Sequence, residues 1–146
     1  MPIEGEYEPS AWGWVAKQVD QYESSGGTTG VTLQGVPTVV MTMRGRKSGK
    51  VRKAAVMRVE HEGAYAAVAS KGGDPNHPGW YLNLVADPEL TVQDGPVVTD
   101  MRAREATGEE RAAWWARATE VWPPYDEYQR KTDRQIPVLV LEPRAG

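Results

Sequence analysis

An α+β fold is expected here: six or seven mainly antiparallel strands curled into a small barrel, with three or four helices. Three observations lead to it. Short β-branched runs recur between turn residues, as in Thr38–Arg44 (T-V-V-M-T-M-R). Helical patterns come mostly late, and no G-x-G-x-x-G carries a strand into a helix, which argues against a Rossmann domain. The chain has 146 residues and no internal repeat, enough for one domain with a real core, and curling the sheet protects its edges.

At the N-terminus, Ser10 suits an N-cap, and Trp12, Val15, Val19 and Tyr22 form one apolar stripe ending near Ser25-Gly26-Gly27. Gly13 weakens this helix by about 1 kcal/mol relative to Ala, so it depends on packing or on a ligand. Residues 1–27 are therefore read either as a cover for the open end of the sheet or as a lid over a substrate pocket within a single 1–146 domain. Thr28–Gly35 is loop-like, with Val31 and Leu33 in a short strand. Thr38–Arg44 follows as a strand, then Lys53–Glu60, turning at His61-Glu62-Gly63 into Ala64–Ser70. The small side chains of that last strand would let another layer, or a flat ring, approach closely.

Pro78 suits the first turn of a helix capped by Asn76 or His77 and ending at Asp87-Pro88. Glu89–Asp94 and Val97–Ala103 alternate about Gly95-Pro96 as a hairpin. Taken in chain order, the strands read mostly as a meander. Thr107 and Glu110 form a capping box opening a helix that runs to Trp122, where Pro123-Pro124 stops it. The final strand, Ile136–Leu141, is apolar almost throughout, which implies burial on both faces.

Cysteine is absent, which excludes disulfides and thiolate metal sites and suits a reducing cytoplasm, the expected location. His61 and His77 fall in separate turns without ligand spacing, so no metal site is expected. The acidic N-terminus does not read as a signal peptide, and no apolar run approaches the ~20 residues of a membrane span. Six Trp and six Tyr with no Phe favour a pocket or interface where rings meet water.

The charge distribution is uneven. Arg44, Arg46, Lys47, Lys50, Arg52 and Lys53 crowd into ten residues containing no carboxylate, in a chain of net charge −3. Such a loop is either solvated or an anion site; Gly45 and Gly49 would let its N–H groups converge on phosphate oxygens. The spacing is wrong for a P-loop. Nucleic acid is not the expected partner, because the rest of the chain is acidic and no aromatic residue interleaves with the cations.

Five motifs then stand in order: G-R-K-S-G (Gly45–Gly49), Arg52, A-S-K-G-G (Ala69–Gly73), W-Y-L-N-L-x-A-x-P (Trp80–Pro88) and T-D-R-x-I-P (Thr132–Pro137). With them the chain resembles the deazaflavin-dependent nitroreductase family over roughly residues 35 to 143. The resemblance implies a split β-barrel like that of flavin-mononucleotide-binding oxidases, here holding coenzyme F420, a deazaflavin with a phosphate and an oligoglutamate tail. It implies that Arg46, Lys47, Ser48, Gly49, Arg52 and Lys71 hold the phosphate and tail, and that Ala69, Ser70, Trp80 and Tyr81 border the ring. Trp80 is read as a packing residue whose backbone meets the cofactor.

The implied reaction is hydride transfer from the reduced deazaflavin to an activated alkene (a coumarin- or aflatoxin-like lactone or ester), a quinone or a nitroaromatic. Ser70, Tyr125 and Tyr128 are the candidates for stabilising charge on the acceptor. Met57, Trp122, Tyr125 and Tyr128 would line the substrate side, although the two tyrosines suit ordinary packing equally well. Met57 and Trp122 stand where some relatives have tyrosine, which favours a broad apolar substrate and alkene reduction. A flavin-mononucleotide enzyme on the same fold, or a non-catalytic F420 carrier, are the alternatives. Self-association and a peripheral membrane contact of the N-terminal helix are further expectations.

Overall fold

The computed structural model describes residues 19, 23, 32–33, 36–73 and 76–144. Strand β1 (Thr32–Leu33) turns into β2 (Val36–Arg44), which pairs with β3 (Val51–Met57) on one side and β6 (Glu89–Asp94) on the other. A short hairpin follows, of β4 (Glu60–His61) and β5 (Ala64–Val68). β6 and β7 (Val97–Glu105) form the predicted hairpin, and β8 (Val138–Pro143) lies between β7 and β5. Every pairing is antiparallel. Among the described residues, six strands have five residues or more and two have only two. The helices are α1 (Gly79–Ala86), α2 (Gly108–Val121) and α3 (Tyr125–Lys131), with a single 3₁₀ turn at Lys71–Gly73.

Alternation along the strands creates two apolar layers. Val39, Met41, Met43, Ala67, Leu90, Val92, Met101, Leu139 and Leu141 fill the concave side, closed by Leu84 of α1. Ala66, Val68, Val138 and Val140 face the other way, onto Trp114 and Ala118 of α2 and Tyr125 of α3. Thus β8 is buried on both faces, as its continuous apolar run implied. The sheet curls where the chain leaves β3: the Arg58 N–H donates to Pro37 O (2.8 Å), and the Ala66 N–H donates to Val59 O (2.9 Å). The result is a split barrel with α2 and α3 on its outer side and α1 against its core.

Several expectations are corrected in detail. The strand order is not a meander after β5, because β5 neighbours β8 and not β6. A strand apolar on both faces needs a central place, and β8 takes it. The strand expected over Lys53–Glu60 stops at Met57: Arg58 turns its Nε to both oxygens of Asp94 (3.0 Å each). Thr107 is the N-cap of α2, but its side chain makes no cap bond. Glu110 is held instead by two Arg104 nitrogens (2.5 and 2.7 Å), a charge-assisted fork stronger than a neutral cap bond. Pro78 is itself the N-cap of α1, so neither Asn76 nor His77 caps it.

The expected N-terminal helix over residues 1–27 lies outside the described residues apart from Val19 and Glu23. Val19 is buried against Val40 on the outer face of β2. Glu23 pairs with Lys53 of β3 at 2.6 Å.

At the opposite edge, Tyr65 donates its hydroxyl to Asp94 (2.6 Å), the carboxylate that also holds Arg58. Burial, and then this hydrogen bond, push the Tyr65 phenol up to about 12. An unfolded tyrosine ionises near 10. The native state therefore keeps a proton that the unfolded chain gives up, so this contribution is complete below about pH 10 and is lost as pH rises towards about 12. In urea titrations, the wild-type midpoint should fall more steeply over that window than the midpoint of Tyr65→Phe. Equal slopes would show that Tyr65 does not contribute.

Candidate functional site

The antiparallel register gathers the motifs at one end of the barrel. Met43 pairs with Leu90, Leu90 with Met101, and Glu105 with Leu139, while Val68 pairs with Val138. The β2–β3 loop, the exit of β5 and the end of β7 consequently share that end, and α1 packs over β2 and β3 beside them.

The β2–β3 loop is closed by its own backbone. The Gly45 N–H donates to Lys50 O (2.7 Å) and the Gly49 N–H to Gly45 O (2.9 Å), while Ser48 Oγ accepts from the Lys50 N–H (3.1 Å). Gly49 has φ +70°, a left-handed conformation that an L side chain would strain. Arg46, Lys47, Ser48 and Gly49 are exposed, and Arg52 is half-buried at the start of β3. Arg46 is clasped from α1: its backbone N–H and its Nη1 both donate to Asn83 Oδ1 (3.1 and 2.9 Å), and Nη1 also approaches Gly79 O (3.4 Å). Asn83 is 7% exposed. Its amide is neutral, so it orients the guanidinium without cancelling the positive charge. Lys47 has no side-chain partner among the described residues.

The second motif forms a shelf where β5 ends. Ala69 and Ser70 are buried, and the Ala69 N–H extends the β5–β8 ladder to Pro137 O (2.9 Å). The chain then turns through Lys71, whose φ of +47° is sterically unfavourable for a lysine, costing roughly 1 kcal/mol or more. Lys71 is exposed, and among the described residues its side chain is unpaired. Gly73, at φ +85°, sits so close to α3 that a β-carbon would lie 2.8 Å from Tyr128 O, so a larger residue cannot fit without moving the helix.

Trp80 and Tyr81 are half-buried on α1 and pack on the barrel core. The Tyr81 hydroxyl donates to Glu105, and its ring lies 4.6 Å from that of His77. Burial, then the Glu105 hydrogen bond, push the Tyr81 phenol up to about 12. It is a fixed wall and not an acid at neutral pH.

The four substrate-side candidates lie in the second apolar layer. Met57 and Tyr125 are buried there, with Trp122 and Tyr128 packed against them. The Tyr125 and Tyr128 rings meet edge to face at 6.1 Å, and Trp122 Nε1 donates to the Tyr128 hydroxyl (3.2 Å). The Tyr125 hydroxyl has no partner among the described residues, and burial holds its phenol far above the ordinary tyrosine range. The Ser70 hydroxyl likewise has no partner among those residues.

Two site residues escaped the sequence reading, Asn83 and Arg134. Both stood inside recognised motifs, but contacts spanning 37 and 65 residues leave no local pattern. What the arrangement can do follows from its parts: a basic loop whose Arg46 is held by an amide and not by a carboxylate fits a polyanion, and a buried small-residue shelf beside an aromatic helix fits a flat ring.

Known proteins identify the family. A family model described as F420H(2)-dependent quinone reductase matches residues 14–143. An F420H(2)-dependent quinone reductase of Mycobacterium tuberculosis is 34% identical over 127 residues, covering 84% of this chain and 85% of the relative. A solved structure of an F420-H2 dependent reductase (FDR-A) shares 58% identity with a TM-score of 0.69, over 73% of this chain and 94% of that one. Another, described as a domain-swapped dimer, shares 52% identity with a TM-score of 0.72, over 91% of this chain and 100% of that one. The chain belongs to the F420H(2)-dependent quinone reductase family, and it is an oxidoreductase whose hydride donor is reduced coenzyme F420.

Proposed function

We propose that this enzyme reduces a broad, apolar electrophile: a quinone first, then an alkene conjugated to a lactone or ester carbonyl, with nitroaromatics as weaker acceptors. The observation carrying this is the apolar layer of Met57, Trp122, Tyr125 and Tyr128, in which the Tyr125 ring is buried and its hydroxyl has no partner among the described residues. Quinones rank first because the matching family and relative are described as quinone reductases.

When bound, the reduced cofactor would supply a hydride from its ring carbon, the acceptor being completed by that hydride and one proton from solvent. Arg46, Lys47, Ser48, Gly49, Arg52 and Lys71 bind the phosphate and anionic tail. Arg46 contributes a guanidinium already oriented by Asn83. Ala69 and Ser70 form the floor of the ring site, with Trp80 and Tyr81 at its border. Met57 and Trp122 exclude water and press the acceptor flat, holding reacting atoms within range. The Tyr125 phenol stays protonated at neutral pH, so it donates a hydrogen bond to the acceptor oxygen as negative charge develops there, with Ser70 and Tyr128 as supporting donors. The cysteine-free chain fits the cytoplasm. Among the described residues no helix is long and apolar enough to cross a membrane. The neighbour described as a domain-swapped dimer supports self-association, which light scattering tests. The reading of residues 1–27 as a lid is retained as a proposal; deleting them should change KM for the acceptor more than affinity for F420.

Oxidation of reduced F420 should be fast with quinones, measurable with coumarin-like lactones and slowest with nitroarenes. Activity with nitroarenes alone would overturn the assignment. Lys47→Ala should weaken F420 binding about tenfold in a fluorescence titration while leaving kcat at saturation nearly unchanged, because it touches the tail and not the ring. Tyr125→Phe should do the reverse, lowering kcat about 10- to 100-fold with unchanged cofactor affinity. Wild-type kcat should show no ionisation of Tyr125 up to about pH 10, since its phenol is shifted upward. Turnover unaltered in Tyr125→Phe would remove this residue from the mechanism.

A further inference from the structure

Arg134, in the loop between α3 and β8, joins three segments that are distant in the sequence. Its Nη2 donates to the carbonyl oxygens of Ala69 (3.1 Å) and Ser70 (3.0 Å). Its Nη1 lies 3.2 Å from His77 Nδ1. A guanidinium has no acceptor, so that imidazole nitrogen must accept, which places the His77 proton on Nε2. His77 in turn lies against the Tyr81 ring at 4.6 Å. One planar fork therefore fixes the buried shelf and the approach to α1 together.

The loop carrying Arg134 is itself braced to α3. Gln129 Nε2 donates to Arg134 O (2.8 Å), and Gln129 Oε1 accepts the Ile136 N–H (2.9 Å). Arg111 of α2 adds a bond to Ile136 O (2.7 Å). The brace thus runs from the tyrosine-bearing helix, through Arg134, to Ala69 and Ser70. Those two carbonyls end the β5 strand at a turn whose next residue, Lys71, is in an unfavourable left-handed conformation. A backbone in that conformation persists only where its surroundings hold it.

We propose that Arg134 is a positioning residue for the reaction: its bonds to the two carbonyls hold the shelf at the height that the deazaflavin ring requires, in register with Tyr125. The proposal rests on the reading of Ala69 and Ser70 as the ring border. It gives Arg134 no contact with the cofactor's anionic tail, which is assigned to the β2–β3 loop, Arg52 and Lys71. Lysine cannot replace it, because a single ammonium lacks the planar fork that spans two adjacent carbonyls and an imidazole.

The test compares intact F420 with a tail-less deazaflavin that lacks the phosphate and oligoglutamate, titrated against wild type, Arg134→Lys, Lys47→Ala and Ser70→Val. Each dissociation constant is taken per binding-competent site, so partial unfolding does not enter it. In Arg134→Lys both compounds should weaken by the same factor, about tenfold, and kcat at saturating cofactor should fall by a similar factor. Lys47→Ala should weaken only intact F420. If Arg134→Lys weakens intact F420 alone, Arg134 acts on the tail and the proposal is overturned. If it lowers only the melting temperature, with both constants and kcat unchanged, the role is structural and the proposal is likewise overturned. Ser70→Val separates the two levels of inference. If it leaves tail-less binding unchanged, the shelf is not the ring border and both readings fall. If it weakens that binding while Arg134→Lys does not, the ring border stands and only the role of Arg134 is lost.

Discussion

The β5–β8 ladder is the constraint on which the remaining architecture depends. Leu139 and Leu141 fill the barrel, while Val138 and Val140, alternating with them, carry the helical layer. Each fully buried aliphatic side chain of this kind contributes about 1.5–3 kcal/mol, but its position matters more here than the sum. A one-residue slip of β8 would exchange the two sets and leave both layers wrongly filled. Because the same ladder continues through Pro137 to the Ala69 N–H, the register that builds the core also sets the shelf. Core and site are not separable parts of this fold.

Charge follows a second rule. Away from the site, three arginines are matched to carboxylates: Arg58 to Asp94, Arg104 to Glu110 and Glu142, Arg144 to Glu89 and Asp100. Arg46 is treated differently, gripped by an amide oxygen and approached by a backbone carbonyl. A carboxylate there would have fixed the side chain equally well but would have cancelled the field that attracts an anionic cofactor. Lys53 marks the limit of the rule, since it lies in the same basic stretch yet pairs with Glu23. The pairing turns the Lys53 ammonium towards Glu23.

This division explains what the sequence made legible. Strand positions were readable because β-branched runs and turn residues are local signals, and the order of the motifs carried the family. Strand order was not, since β5 meets β8 across some seventy residues and only the two-faced burial of β8 hinted at its central place. The capping box at Thr107 failed for a related reason: Glu110 had a better partner in Arg104, on a different element. Asn83 and Arg134 were hidden in the same way. Each looked like one polar residue in a motif, and each acts on the backbone or side chain of a distant segment. Local patterns predict elements well, but the contacts that orient a site are made between elements.

Those between-element contacts also bear on specificity. The shelf meets α3 at Gly73, where the Tyr128 backbone leaves no room for a side chain. It meets α3 again through Gln129 and Arg134. A change in α3 that shifts its axis must therefore move the shelf as well, so the proposed substrate wall and ring floor cannot be tuned independently. Side chains that project from α3 without bracing it, such as the Tyr125 and Tyr128 rings, are free of that restriction. Met57 and Trp122 share this freedom, since neither touches the shelf through a hydrogen bond. Variation in acceptor preference within this architecture should therefore concentrate in those four side chains, with Gly73, Gln129 and Arg134 held fixed to keep the hydride donor in place.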